Sequence, residues 1–118
     1  MIIVSNTTPI LSLYKIGQIE VLKSLFKQVE VPRAVYNEIN ILGKDGYDIF
    51  NMASYLHVVD VQNKMAVNML RLQLDFGEAE AVVLAAELGA DALVLDEKKA
   101  RKIAQASSQK VIGTIGTH

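Results

Sequence analysis

Apolar residues along the chain fall into short continuous runs and into longer stretches at helical spacing, and the two kinds alternate. Ile2-Ile3-Val4 is a β-branched run that stops at Ser5-Asn6-Thr7-Thr8-Pro9, which predicts a buried strand delivering its carboxyl end into a turn. Pro9 suits the first turn of a helix whose apolar side is Ile10, Leu11 and Leu13, running to Ile16-Gly17. Ile19, Leu22, Leu25 and Phe26 predict a second short helix, and pattern alone leaves open whether Leu22 and Leu25 face a core or a partner. Val29-Glu30-Val31 predicts a second strand, after which Pro32 opens a helix carrying Val35, Ile39 and Leu42 until Gly43. A loop follows at Gly43-Lys44-Asp45-Gly46, and a further helical pattern runs from Ile49 to Tyr55. Leu56 to Val61, less uniformly apolar, predicts a third strand at a sheet edge.

Val67, Leu70 and Leu74 keep one helical face between Lys64 and Leu74, and Asp75-Phe76-Gly77 reads as a turn. Glu78 to Leu88 is apolar on most sides, the pattern of a helix packed against more than one neighbour, and Gly89 ends it. Ala92-Leu93-Val94-Leu95 predicts a strand buried on both faces of a parallel sheet. Lys98 to Ala106 reads as a basic helix, and Val111-Ile112 begins a last short strand. Strands alternating with helices imply an α/β domain with right-handed crossovers and a parallel sheet covered on both faces.

Composition agrees with that picture. Of 118 residues, 51% are apolar and 21% charged, a globular mix, and the length suits a single domain over residues 1–118. Twelve Lys+Arg against thirteen Asp+Glu give a formal charge of -1, so any contact with nucleic acid has to be local. The absence of cysteine excludes disulfides, thiolate zinc sites and cysteine nucleophiles. The longest uncharged stretch, Met1 to Tyr14, is shorter than the about 18 apolar residues that a membrane crossing needs and is broken by polar residues. No Lys or Arg precedes Ile2-Ile3-Val4, as a secretory leader requires, and the expected location is cytoplasmic, without membrane contact.

In parallel sheets, ligands gather outside the carboxyl ends of the strands, near the point where strand order reverses. The two most apolar strands end there in oxygen-bearing side chains, Ser5-Asn6-Thr7 and Asp96-Glu97. Glu38, Glu78 and Glu80, on flanking helices, can join them. Carboxylates converging on one crevice repel each other, and the usual relief is a hard divalent cation, Mg²⁺ or Mn²⁺. Each residue also has a plainer reading: Asp96 can cap a helix, Asn6 can satisfy turn backbone, Glu38 can sit on a surface, and Glu80 shares a stripe with Glu87 as on a solvated face. Glu78 and Glu80 point roughly 200° apart on a helix, so one of the two faces a common site. Lys98, Lys99, Arg101, Lys102 and Lys110 form the one dense basic cluster, beginning directly after Asp96, where it can meet the phosphates of a nucleic acid or simply solvate a helix face. Four Tyr, three Phe and no Trp, all scattered, give no base-stacking platform, and His57 reads as structural. Gly113 to Gly116 lacks the strand, loop and helix of a phosphate-binding fingerprint.

Four stretches taken together resemble one family: Ile3 to Ile10 (IVSNTTPI), Val31 to Ile39 (VPRAVYNEI), Gly77 to Ala81 (GEAEA) and Ala90 to Arg101 (ADALVLDEKKAR). The chain is similar to the PIN-domain proteins, and in particular to small stand-alone members such as the toxins of VapBC-type toxin-antitoxin pairs. The resemblance spans nearly the whole chain. It implies a three-layer α/β/α sandwich, sheet order 3-2-1-4-5, and an acidic cluster that binds Mg²⁺ or Mn²⁺ and cleaves RNA. Carried over by motif, the acidic positions are Asn6, Glu38, Glu80 and Asp96, with Glu78 competing for the third. Glu38, Glu80 and Asp96 are then the implied catalytic acids, while Thr7, beside Asn6, and Lys98, Lys99 and Arg101 of the basic cluster are the candidate contacts to RNA. A homodimer and an antitoxin partner are implied as well.

Asn6 departs from the family pattern, which has aspartate there; an amide oxygen still ligates a cation, but one lost negative charge lowers metal affinity and the power to generate hydroxide. The expected function is a Mg/Mn-dependent endoribonuclease acting as a toxin. Its rival is a catalytically weakened PIN-like domain that binds nucleic acid or a protein partner without cleavage. A doubly wound signalling domain would need a lysine reaching a phosphoacceptor carboxylate, for which Lys98 is a distant candidate. The chain stops at His118, soon after the fifth strand region, where similar proteins continue, so a truncated carboxyl end is expected.

Overall fold

The computed structural model describes residues 1–41, 49–96, 98–99 and 111–112. Among these, β1 (Ile3–Ser5), β2 (Val29–Pro32), β3 (Leu56–Val59), β4 (Ala92–Val94) and β5 (Val111–Ile112) form one sheet in the order β3-β2-β1-β4-β5. Every pairing in it is parallel. The order is the one the family resemblance implies, and β3 lies at an edge as its pattern predicts. The connections carry helices α1 (Thr7–Lys15), α2 (Glu20–Phe26), α3 (Arg33–Ile41), α4 (Lys64–Leu70) and α5 (Phe76–Leu88). Strand order reverses between β1 and β4, which makes the carboxyl ends of these two neighbours the natural place for a ligand.

Side-chain alternation along the central strands divides the core in two. Val4 and Leu93 are partners across the β1–β4 pair, and both enter a cluster with Val67 of α4 and Ala79, Ala81 and Leu84 of α5. Ile3 and Ala92, one step back in the same register, point the other way and pack with Val94 and Phe26. Val29 and Val31 of β2 pack with Ile10, Leu13 and Leu22 and with Val35 and Ile39 of α3. Helix α5 is buried along most of its length, as its apolar sequence requires, and Gly89 closes it at φ 61°, in the left-handed region where glycine has no side-chain penalty. Glu87 of α5 accepts from the backbone N–H groups of Gln62 and Asn63 at 3.0 and 2.7 Å, and Asn63 Oδ1 accepts from Ala66 N at 3.0 Å, so the start of α4 is capped from two sides.

Several element boundaries differ from the sequence reading. Pro32 closes β2 instead of opening a helix, because a strand end tolerates its missing N–H as well as a first helical turn does. The helix expected to reach Leu74 ends at Leu70 and continues as a helical turn. Asp75-Phe76-Gly77 is no loop: Asp75 is the N-cap of α5, and Phe76 and Gly77 are its first residues. Among the described residues the helical pattern at Ile49 covers residues 49–52 and ends before Tyr55. Leu22 is core and Leu25 is exposed. Leu42, the Gly43–Gly46 loop, the basic helix beyond Lys99 and Gly113 to Gly116 lie outside the described residues. Among the described residues no helix is long and apolar enough to cross a membrane.

Candidate functional site

The carboxyl end of β1 runs into Asn6, whose amide N–H donates to Val94 O of β4 at 3.2 Å and ties the two strand ends together. Asn6 is 2% exposed. Its Oδ1 accepts from Thr7 N and caps α1, while its Nδ2 is buried with no hydrogen-bond partner among the described residues. The amide is assigned this way round because the opposite orientation would set an NH₂ group against the Thr7 N–H. The turn-satisfying role read from the sequence is therefore present, and the amide shows a donor to its surroundings.

Thr7, also buried, donates its Oγ1 hydroxyl to Glu38 Oε2 at 3.0 Å. This contact brings α3 to the end of β1. The same Oε2 lies 3.0 Å from the point where a Cβ on Gly77 would stand, and Asp75 Oδ1 lies 3.7 Å from that point. A Cβ at Gly77 would press on the end of the Glu38 side chain, which would have to give by a few tenths of an ångström, so the glycine leaves the Glu38 carboxylate room beside the first turn of α5. Glu38 thus stands at the carboxyl edge with Thr7 and Gly77.

Glu78 and Glu80, in the first turns of α5, are each committed to a helix terminus. Glu78, 4% exposed, accepts from Asp75 N at 3.0 Å while Asp75 Oδ1 accepts from Glu78 N at 2.8 Å, a reciprocal capping box. Burial pushes the Glu78 carboxyl above the ordinary carboxylate range, and the nearby Asp75 charge adds to the shift against the pull of the Asp75 N–H and Lys99. Glu80, 3% exposed, accepts from Ala34 N at 2.8 Å. Ala34 lies in the first turn of α3, where backbone N–H groups have no helical partner, so Glu80 caps a helix from 46 residues away. The solvated stripe with Glu87 is thereby corrected: Glu87 is exposed and Glu80 is not, because α3 covers it. Both Glu78 and Glu80 are inside, which the 200° separation did not foresee, since α5 has neighbours on two sides.

At the end of β4, Asp96 is partly buried and its Oδ1 accepts from Lys99 N at 2.9 Å, the capping geometry that was its plainer reading. Lys99 Nζ in turn lies 3.6 Å from Asp75 Oδ2, bridging the end of β4 to the start of α5. Lys98 is exposed, and Arg101 lies outside the described residues. The sequence reading missed Asp75, which is the link between the Glu38 corner and the Asp96 corner. Its signal was legible: an Asp three residues before a Glu at the head of an apolar run is a capping box.

A comparison with family profiles matches residues 2–117, nearly the whole chain, to a family described as the PIN domain. The chain belongs to the PIN-domain family. Comparisons with curated proteins and with solved structures return no match. PIN domains are nuclease-type proteins, generally dependent on a divalent metal, that act on nucleic acid. Against that background the donor set divides. Glu38 and Asp96 each spend one carboxylate oxygen on a protein donor and keep a second hard oxygen, which fits Mg²⁺ or Mn²⁺. Asn6 spends one lone pair of its oxygen on Thr7 N, and it brings no charge to the arrangement. Among the described residues no three of His, Cys, Asp and Glu gather closely enough to hold a metal ion. A Mg²⁺ ion takes one or two carboxylates together with water and phosphate oxygens.

Proposed function

We propose that this PIN domain is a Mg²⁺- or Mn²⁺-dependent endoribonuclease that is active at high metal concentration and serves as a toxin held in check by an antitoxin protein. The observation that carries the reading is the Thr7–Glu38 contact at 3.0 Å, which sets an oriented carboxylate beside the switch between β1 and β4. Glu38 and Asp96 would hold the metal, which when bound supplies a Lewis acid and lowers the pKa of a water. The chain's own residues prepare the site. Thr7 Oγ1 fixes the carboxylate plane of Glu38, and the Lys99 N–H fixes that of Asp96, so neither carboxylate has to be ordered when the substrate arrives. Glu80 acts at one remove, as a positioning residue that anchors the head of α3 and with it Glu38. Glu78 is in reserve as the alternative acid, though its carboxyl is occupied with Asp75 N. Lys98, Lys99 and Arg101 follow Asp96 in the chain and offer positive charge to the phosphates on either side of the cut, with Lys99 already sharing its charge with Asp75.

A second reading, in which the domain binds RNA or a protein without cutting, is favoured by the unpartnered Asn6 Nδ2, a donor where a nuclease of this family would use an acid. One experiment separates them. The purified chain is incubated with single-stranded RNA in Mg²⁺, in Mn²⁺ and in chelator. Cleavage that rises with metal and vanishes in chelator is expected; RNA that is bound but intact at every metal concentration selects the second reading.

A further inference from the structure

The aromatic residues are scattered along the sequence, but folding brings one of them to the acidic corner and sets a cation on it. Phe76 is the first residue of α5, between Asp75 and Gly77. Glu38 Oε2 stands 3.0 Å from a Cβ built on Gly77, so the Cα of Phe76 lies within about 9 Å of that carboxylate oxygen, a reach comparable to one nucleotide. On the other side of Phe76, Asp75 Oδ2 lies 3.6 Å from Lys99 Nζ, and the Lys99 N–H donates to Asp96. Phe76 is therefore one residue from the contacts of each carboxylate of the proposed site. It is also 45% exposed, and the Arg71 guanidinium, itself exposed, lies over its ring at 4.6 Å from the ring centre.

A second pair of this kind shows what is particular about the first. Arg33 lies 5.4 Å from the centre of the Tyr36 ring, but its Nε is held by Asp60 Oδ1 at 3.0 Å, and Phe50 packs edge-on against Tyr36 at 4.8 Å. Cation and ring are both occupied there. Among the described residues no carboxylate pairs with Arg71, so its charge is left to the ring and to whatever approaches the corner. Phenyl rings and guanidinium planes are the surfaces on which proteins stack the bases of an unpaired strand, whereas a duplex keeps its bases stacked on one another. We propose that Phe76 and Arg71 form a stacking subsite for one unpaired base of an RNA strand whose neighbouring phosphate lies at the Glu38–Asp96 corner. The subsite selects single strands over duplexes without choosing among bases, because every base has a face to stack. Arg71 adds positive charge beside the backbone of the strand. The inference rests on the reading of that corner as the place that receives RNA, cut or uncut.

The test separates stacking from charge. Binding of the full chain is followed by fluorescence anisotropy in chelator, with three end-labelled probes: a short oligoadenylate, an abasic strand of the same length and an RNA duplex. Phe76→Ala should weaken oligoadenylate binding about tenfold or more and Phe76→Tyr should restore it, while neither changes the affinity for the abasic strand or the duplex. Arg71→Lys, which keeps the charge and loses the plane, should weaken the oligoadenylate alone, by a smaller factor. An unchanged oligoadenylate affinity in Phe76→Ala, or an equal loss on all three probes, overturns the inference. Cleavage of the oligoadenylate in Mn²⁺ is read in parallel. Cleavage by the wild type together with unchanged binding in Phe76→Ala overturns the subsite and leaves the nuclease reading standing. The expected binding pattern without cleavage supports the subsite and overturns the nuclease reading. No binding of oligoadenylate by the wild type overturns both.

Discussion

The ends of β1 and β4 lie side by side in register, and each finishes in a short polar residue that caps the helical turn following it. They differ in how charge and burial are combined. At the β1 end the residue is fully enclosed and neutral: Asn6 satisfies Thr7 N and leaves Nδ2 without an acceptor. At the β4 end the residue is half in water and ionisable, and Asp96 has a lysine three residues on whose ammonium crosses to Asp75. A carboxylate in the first corner would be buried beside Glu38 with no cation against it among the described residues, which is costly, while one in the second is hydrated and has a counter-charge nearby. In the proposed site the negative charge therefore rests on Glu38 and Asp96.

The largest expected effect breaks the comparison at its charged end. Asp96→Asn should lower metal-dependent RNA cleavage about 100-fold or more, by analogy with the loss of groups that orient a metal centre. Its stability in urea should stay within about 1 kcal/mol of the wild type, because Asn caps a helix nearly as well as Asp. Unchanged cleavage would move the chemistry away from β4. The next largest effect concerns the joint between the two corners. Glu80→Ala should cost about 2 kcal/mol in denaturation, since it strands the Ala34 N–H at the head of α3, and Glu80→Gln should recover most of that loss. Cleavage lost in Glu80→Gln despite normal stability would make Glu80 a reacting acid instead of a positioning residue.

A smaller effect sharpens the comparison at its neutral end. Asn6→Asp should be less stable than the wild type in chelator and should gain about 1.4 kcal/mol when Mn²⁺ is raised to tenfold above its dissociation constant. Calorimetric melting of both proteins with and without Mn²⁺ reads this directly, and equal Mn²⁺ response in the two would remove position 6 from the metal site. The smallest effect is a pH dependence. Because burial raises the folded-state pKa of Glu78 above its unfolded value, the folded protein holds this proton more tightly, and the group's contribution to stability falls as pH rises from the ordinary carboxylate range through the raised value. Glu78→Gln keeps the acceptor for Asp75 N and cannot ionise, so its stability relative to the wild type should improve from pH 4 to pH 7 in urea titrations. A difference that does not change with pH would show that Glu78 titrates normally.

The order of elements and the parallel character of the sheet were legible because they rest on local pattern: β-branched runs such as Ile3-Val4, the continuous Ala92 to Val94, and the periodic apolar positions between them; the strand order came from the family resemblance. The errors lie where two local signals compete. Gly77 was taken as a turn residue, although the Asp75–Glu78 box beside it marks a helix start; the glycine is there for Glu38, a residue 39 positions away that no local window contains. The carboxyl-edge location of Asn6 and Asp96 followed from strand ends, and their capping roles were among the readings available. What Glu80 does was not legible, because its partner is a backbone N–H on another helix, and a backbone group leaves no mark in the sequence. The engagement of Lys99 with Asp75 was hidden for a similar reason, since it depends on where α5 begins.

The central position of β1 also bears on how the chain comes to be folded. The strand made first is the one that must be flanked on both sides, and its partner β4 is joined to it by contacts such as the Ile2 N–H to Asp91 Oδ2 bond, 89 residues apart. During synthesis β1 can pair with β2 early, but its other edge, with Ile3 and Val4 beside it, waits until nearly the whole domain has left the ribosome. Closing that pair is a non-local step of high contact order, slow compared with forming the helices, and until it happens the nascent chain presents a bare apolar strand edge to its neighbours.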